Sequence, residues 1–153
     1  AISIKDNPKL KLYLLGDGEE KEKITRKIKE YNLENHVIMP GFVSTSEVEE
    51  YMQKSDIYIM TSYKECFPMV LLEANSCGLP IISFDILTGP REIVKEGITG
   101  YLISDRDKNL MASKINSLLK GKDILKQMGK NSVKEAEKYK SEVIIKKWLK
   151  LFK

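Results

Sequence analysis

Two glutamates flanking a helix start are the residues in this chain best placed to do chemistry. Residues 61–84 read TSYKECFPMVLLEANSCGLPIISF, with Glu65 and Glu73 on either side of Pro68. Proline has no N–H and a φ fixed near the helical value. It suits the first position of a helix, where that donor would be unpaired anyway. Met69, Val70, Leu71, Leu72 and Ala74 then read as an apolar helix, Gly78 supplies a left-handed end and Pro80 prevents continuation. The first amides of such a helix, near Met69 and Val70, are free, and the helix dipole adds partial positive charge to them. Phosphate is the group that best fits that end.

Glu65 falls in the loop before the helix, and Glu73 in its second turn with a side chain leaning toward the N-terminus. Both carboxylates can therefore border one pocket. Carboxylates repel phosphate, so their partners would be hydroxyls, as on a ribose or a hexose attached to the phosphate; together these features describe a sugar nucleotide. An arbitrary glutamate pair at this spacing would be a solvated loop residue and an exposed helix residue, so the surroundings must decide.

The elements that position these residues alternate along the chain. Strands are expected at residues 10–15, 36–39, 57–60, 80–84 and 101–103, and helices at 19–31, 47–54 and 68–77. Ser44 with Glu47, and Ser46 with Glu49, have capping-box spacing. Gly89, Pro90 and Glu92 suggest a further helix start, and Asp17 and Glu19 are placed to cap the helix at 19. Helix following strand repeatedly implies an α/β fold. The expected form is a Rossmann-like parallel sheet with helices on both faces and a ligand crevice at the carboxyl ends of the strands. The Gly16-Asp17-Gly18 turn, the glutamate loop and the Thr88-Gly89-Pro90 turn all follow strands, so they should gather at one edge. Gly16 and Gly18 either let the backbone approach a ligand or simply make a strand-to-helix turn.

Taken together, these motifs resemble the retaining GT-B glycosyltransferases of the group 1 family, which build bacterial capsule, lipopolysaccharide and other glycans. The resemblance runs through LYLLGDG at 12–18, HVIMPGFV at 36–43, EVEEYMQKSDIYIMTS at 47–62, ECFPMVLLEANSCGLPII at 65–82 and FDILTGPREIVKEGITGYLI at 84–103, in the family's order. It implies that residues 1–153 form a single nucleotide-sugar-binding domain, one half of a GT-B fold. Glu65 would meet hydroxyls of the transferred sugar as the catalytic carboxylate, Glu73 the ribose, and the backbone at Phe67, Pro68, Met69 and Val70 the phosphate. Gly16 and Gly18 would lie beside the nucleotide and sugar, and the loop at Met39 to Gly41 beside the base. The implied donor is a nucleotide diphosphate-sugar, with a UDP-sugar expected, used with no metal or other cofactor. The family's phosphate-holding Arg and Lys follow a strand that would precede Ala1, as would the N-terminal domain that receives a glycan or lipid-linked acceptor. The chain alone is therefore expected to be inactive. A sugar-nucleotide epimerase of the same fold and a non-catalytic nucleotide-binding domain are the alternatives.

Composition agrees with a globular domain: 153 residues, 42% hydrophobic and 31% charged, enough for one core. The net charge of +4 is spread over dispersed lysines with no aromatic-interleaved basic patch, which argues against nucleic acid as a partner. No apolar run approaches the ~20 residues of a membrane span, and a cytoplasmic setting is expected, with Cys66 and Cys77 as free thiols. His36 is the only histidine, so neither a Ser-His pair nor a two-histidine metal site can be assembled, and no other cluster has metal-ligand spacing. In residues 141–153, Ile144, Ile145, Trp148, Leu149, Leu151 and Phe152 form the apolar face of a C-terminal amphipathic helix edged by Lys146, Lys147, Lys150 and Lys153. Such a helix can pack on a core, which is the favoured expectation, or lie peripherally on the anionic inner face of a membrane. Left uncovered, it would promote a homodimer.

Overall fold

A computed structural model describes every residue except Lys153 and the side chain of Asp105. Lys153, the last residue of the expected helix at 141–153, lies outside the described residues. The chain forms two compact units, Ala1–Tyr51 and the residues from Met52 onward.

The first unit contains α1 (Ile2–Asp6), β1 (Leu12–Leu15), α2 (Lys21–Glu30) and β2 (Val37–Gly41), and most of α3 (Thr45–Gln53). β1 and β2 pair in parallel, with Leu12 beside Val37, Tyr13 beside Ile38 and Leu15 beside Gly41. Met39 to Gly41, expected in the loop after the strand, are instead its last residues, because the ladder continues until Leu15 meets Gly41. His36 sits just before β2 with Nδ1 3.0 Å from the Leu10 carbonyl oxygen. At α3 the reciprocal capping box forms between Ser44 and Glu47: the Ser44 amide donates to Glu47 Oε2 at 2.7 Å and the Glu47 amide to Ser44 Oγ at 3.3 Å. The Ser44 amide first, and then the Ser44 hydroxyl donating to the same Oε2 at 2.7 Å, hold the Glu47 carboxyl below its ordinary range. Ser46 lies inside the first turn of α3, which has already begun at Thr45.

The second unit contains β3 (Tyr58–Met60), α4 (Met69–Ser76), β4 (Ile81–Phe84), α5 (Pro90–Ile93), β5 (Gly100–Ile103), a 3₁₀ turn at Ser104–Arg106, α6 (Lys108–Lys120), α7 (Lys122–Ala136), a second 3₁₀ turn at Glu137–Tyr139 and α8 (Ser141–Leu151). Its sheet has the order β3-β4-β5 with both pairings parallel. All four residues of β4 are buried, as expected for the middle strand of a parallel sheet covered on both faces. Ile82 and Phe84 join Ile103, Met111, Ile115, Leu118 and Met128 in the core.

α4 ends as its sequence requires. Gly78 has φ +74, its amide bonds Asn75 O at 2.9 Å and the Leu79 amide bonds Ala74 O at 3.0 Å, the crossed pair of a Schellman turn. Pro68 is corrected by one place. It precedes the helix as its N-cap with ψ 92, and Met69 is the first helical residue, since the chain stays extended through Pro68 before turning. Packing of the C-terminal helix on a core is also overturned: no residue of α8 is buried, and Trp148 and Leu149 are each 58% exposed. Of the face that reads as apolar, Ile144 is half-buried, and Ile145, Trp148, Leu149, Leu151 and Phe152 are exposed.

Candidate functional site

The loop between β3 and α4, residues 61–68, carries Glu65, and the turn after β4 grips it. Thr88 Oγ1 donates to the Glu65 carbonyl oxygen at 2.5 Å. Gly89, at φ +96, lies so close that a Cβ there would stand 2.7 Å from Pro68 Cδ and 3.2 Å from Glu65 Cβ. Only glycine combines that backbone conformation with that approach. Pro90 then opens α5 at its first position, and Arg91 reaches back to make a two-pronged pair with Asp85, Nε to Oδ1 at 2.7 Å and Nη2 to Oδ2 at 2.9 Å. The guanidinium holds the Asp85 carboxyl below its ordinary range. The pair fixes the turn between the end of β4 and α5.

Pro68 is buried, while Met69 is exposed and Val70 half-buried. The Leu71 amide bonds the Pro68 carbonyl oxygen at 2.9 Å, whereas the amides of Met69 and Val70 have no acceptor among the described residues. They are the free donors expected at a helix start. Phe67 is 42% exposed, its ring centroid 5.8 Å from that of Tyr139. Tyr139 in turn donates through its hydroxyl to the Glu92 carbonyl oxygen at 3.2 Å.

Glu73 is exposed in the second turn of α4 and Glu65 is half-buried in the loop. One phenol senses both: the Tyr58 pKa is raised by burial first, then by the charge of Glu73 and then by that of Glu65. Both carboxylates thus lie within electrostatic reach of the Tyr58 phenol, and the free amides of α4 fall between them in sequence. Nothing local in the sequence marks Tyr58, which reads only as a strand residue.

Gly16 and Gly18 belong to the first unit. Gly16 has φ +117 and donates its amide to the Gly41 carbonyl oxygen at 2.8 Å, so the turn after β1 is tied to the end of β2. The Gly18 amide is taken by Asp17 Oδ1 at 2.8 Å. Neither Asp17 nor Glu19 caps α2. Glu20 occupies the N-cap without a side-chain bond, and Asp17 Oδ2 pairs instead with Lys21 Nζ at 2.6 Å. That hydrogen bond, followed by the Gly18 amide, lowers the Asp17 pKa. Asp17 is drawn to the ammonium because Lys21 lies one turn on.

Among the described residues no group of three His, Cys, Asp or Glu side chains could hold a metal ion, and no helix is long and apolar enough to cross a membrane. Cys66 and Cys77 are unpaired with each other.

Parallel strands alternating with helices, with a glycine turn and a glutamate loop at strand ends, define a Rossmann-like half of a GT-B fold. The chain belongs to the family of group 1 glycosyl transferases, whose model matches residues 1–135. It is 36% identical over 140 residues to an amylovoran biosynthesis glycosyltransferase of Erwinia amylovora, covering 90% of this chain and 38% of that protein. A crystal structure of a point mutant of TarM from S. aureus, solved with fondaparinux, alpha-GlcNAc-glycerol and UDP, superposes with a TM-score of 0.90 at 30% identity, covering 99% of this chain and 30% of that one. The pneumococcal O-GlcNAc transferase GtfA, solved with UDP and GlcNAc, gives a TM-score of 0.86 at 27% identity, covering 97% of this chain and 30% of that one. The chain therefore spans between a third and two fifths of the first protein's length and under a third of the other two.

Proposed function

We propose that this chain is the donor-binding half of a retaining glycosyltransferase. It moves a hexose from a nucleotide diphosphate-sugar, UDP-linked by the example of TarM and GtfA, to a glycan or lipid-linked acceptor of a bacterial surface polysaccharide such as capsule or lipopolysaccharide. The observation that carries the reading is the loop at 61–68, gripped by Thr88 and Gly89, which brings Glu65 to the start of α4, where the Met69 and Val70 amides are free and Glu73 stands in the second turn. In this reading the amides of Phe67, Met69 and Val70 take the diphosphate, whose charge the helix dipole favours. Glu73 accepts from the ribose hydroxyls. Glu65 accepts from the hydroxyls of the transferred sugar and is the catalytic carboxylate, holding that sugar as the bond to phosphate breaks. Gly16 and Gly18 give the nucleotide room at the backbone.

Acceptor geometry comes from a second domain, because transfer requires both reactants to be held in register. The setting is cytoplasmic, with α8 meeting the inner face of the membrane through its exposed apolar and lysine-edged face. A transfer assay tests the reading. The full-length protein should move the sugar of a UDP-hexose to an acceptor with its anomeric configuration kept, as read by NMR of the product, and this chain alone should not. Transfer by the isolated chain, or an inverted product, would contradict it.

A further inference from the structure

The loop that carries Glu65 is held at its other end by a residue that neither the glutamate motif nor the helix pattern marks. Arg106 closes the 3₁₀ turn after β5 and is one of the two non-glycine residues with positive φ among those described, at +54. Its guanidinium donates to two successive carbonyl oxygens of the loop, Nη2 to Thr61 at 2.8 Å and Nη1 to Ser62 at 3.1 Å. The same group lies 3.6 Å from the centroid of the Tyr63 ring and 4.3 Å from that of Phe84, within cation–π range of both. Phe84 belongs to the core at the end of β4, whereas Tyr63 is 79% exposed. Arg106 therefore joins an otherwise loose stretch of loop to the end of the sheet.

The backbone of Arg106 is held in its conformation from both sides. Before it the 3₁₀ turn leaves β5, and after it Asp107 caps α6, Oδ1 accepting from the amides of Asn109 at 2.8 Å and Leu110 at 3.0 Å. An L side chain adopts positive φ only at a cost, which glycine avoids. That cost is set against the two charge-assisted hydrogen bonds and the ring contacts that the Arg106 side chain makes.

We propose that Arg106 is a positioning residue: its guanidinium fixes the stretch 61–63 so that Glu65, two residues on, is presented to the sugar. This rests on the reading of Glu65 given above. Ligand dependence separates the proposal from a structural role, because positioning of Glu65 predicts a loss confined to the sugar-bearing ligand, whereas general loosening predicts equal losses. In the full-length protein, Arg106→Gly relieves the positive φ but removes both charge-assisted hydrogen bonds and the ring contacts, so Tm should fall. It should also free the loop, so that tryptic cleavage after the exposed Lys64, followed by mass spectrometry, speeds up by about tenfold or more, as expected for loss of charge-assisted bonds. KM for the UDP-sugar should rise by a similar factor while affinity for bare UDP changes little. Arg106→Lys keeps the charge but loses the fork that spans two carbonyls, and should fall between. Cleavage after Lys64 at the parental rate in Arg106→Gly would overturn the proposal. So would equal losses of affinity for UDP and UDP-sugar. If the parental protein bound no sugar nucleotide, the functional reading would fail, and the cleavage rate would still decide on the clamp.

Discussion

The hydroxyl of Thr88 donates to the main-chain carbonyl of Glu65 at 2.5 Å, joining residues 23 apart in sequence. This bond fixes the backbone that carries the Glu65 carboxylate. Removing the hydroxyl with Thr88→Val should cost about 0.5–1.5 kcal/mol of stability, whereas Thr88→Ser should keep most of it. Gly89→Ala should cost more, about 1–3 kcal/mol, since a methyl would meet the Pro68 ring at a backbone of positive φ. Thermal unfolding of the three variants orders them, and Gly89→Ala with the parental Tm would show that the loop does not lie against this turn.

Acid should loosen the same turn through Asp85. Its carboxyl is held below the ordinary range by Arg91, so the pair stabilises the fold above the unfolded-state pKa of an aspartate and is lost as pH falls through the lowered folded value. Asp85→Asn should therefore cost stability at neutral pH and none below the folded pKa. A thermal-unfolding profile across that acid range tests it: a gap between parent and variant that stays constant down to the lowest pH would contradict the linkage.

Trp148 lies on the exposed face of α8 beside Phe152, ring centroids 6.4 Å apart. As the only tryptophan it reports this helix without ambiguity. Its emission should be that of a solvated indole and should shift to the blue on vesicles containing an anionic lipid but not on zwitterionic ones, because lysines border the apolar face. An already blue-shifted maximum that ignores vesicles would show that α8 is covered by the protein itself.

What could be read in the sequence was set by distance along the chain. The Gly78 turn, the capping box at Ser44 and Glu47 and the Pro90 helix start are each decided within a few residues, and each forms as its residues dictate. Pro68 missed its place by one residue, because proline suits both the N-cap and the first helical position and only the observed ψ separates them. The contacts that hold the site were not legible. Arg106 meets Ser62 across 44 residues and Thr88 meets Glu65 across 23, so no local pattern announces either. Asp17 chose Lys21 over the helix amides, a competition between two nearby partners that residue types alone leave open. Helical amphipathicity in α8 was plain, but a pattern shows which face is apolar and says nothing of what covers it.

The division of labour between the two glutamates is tested most directly by calorimetry, titrating a UDP-hexose and bare UDP into Glu73→Ala and Glu65→Ala of the full-length protein. Loss of Glu73 should weaken both ligands by roughly 10- to 150-fold, the equivalent of one charge-assisted hydrogen bond of about 1.5–3 kcal/mol, because both carry the ribose. Loss of Glu65 should weaken the UDP-hexose by a similar factor and leave bare UDP almost unchanged. Unaltered affinity in a folded Glu73→Ala protein, or equal losses for the two ligands in Glu65→Ala, would contradict the account.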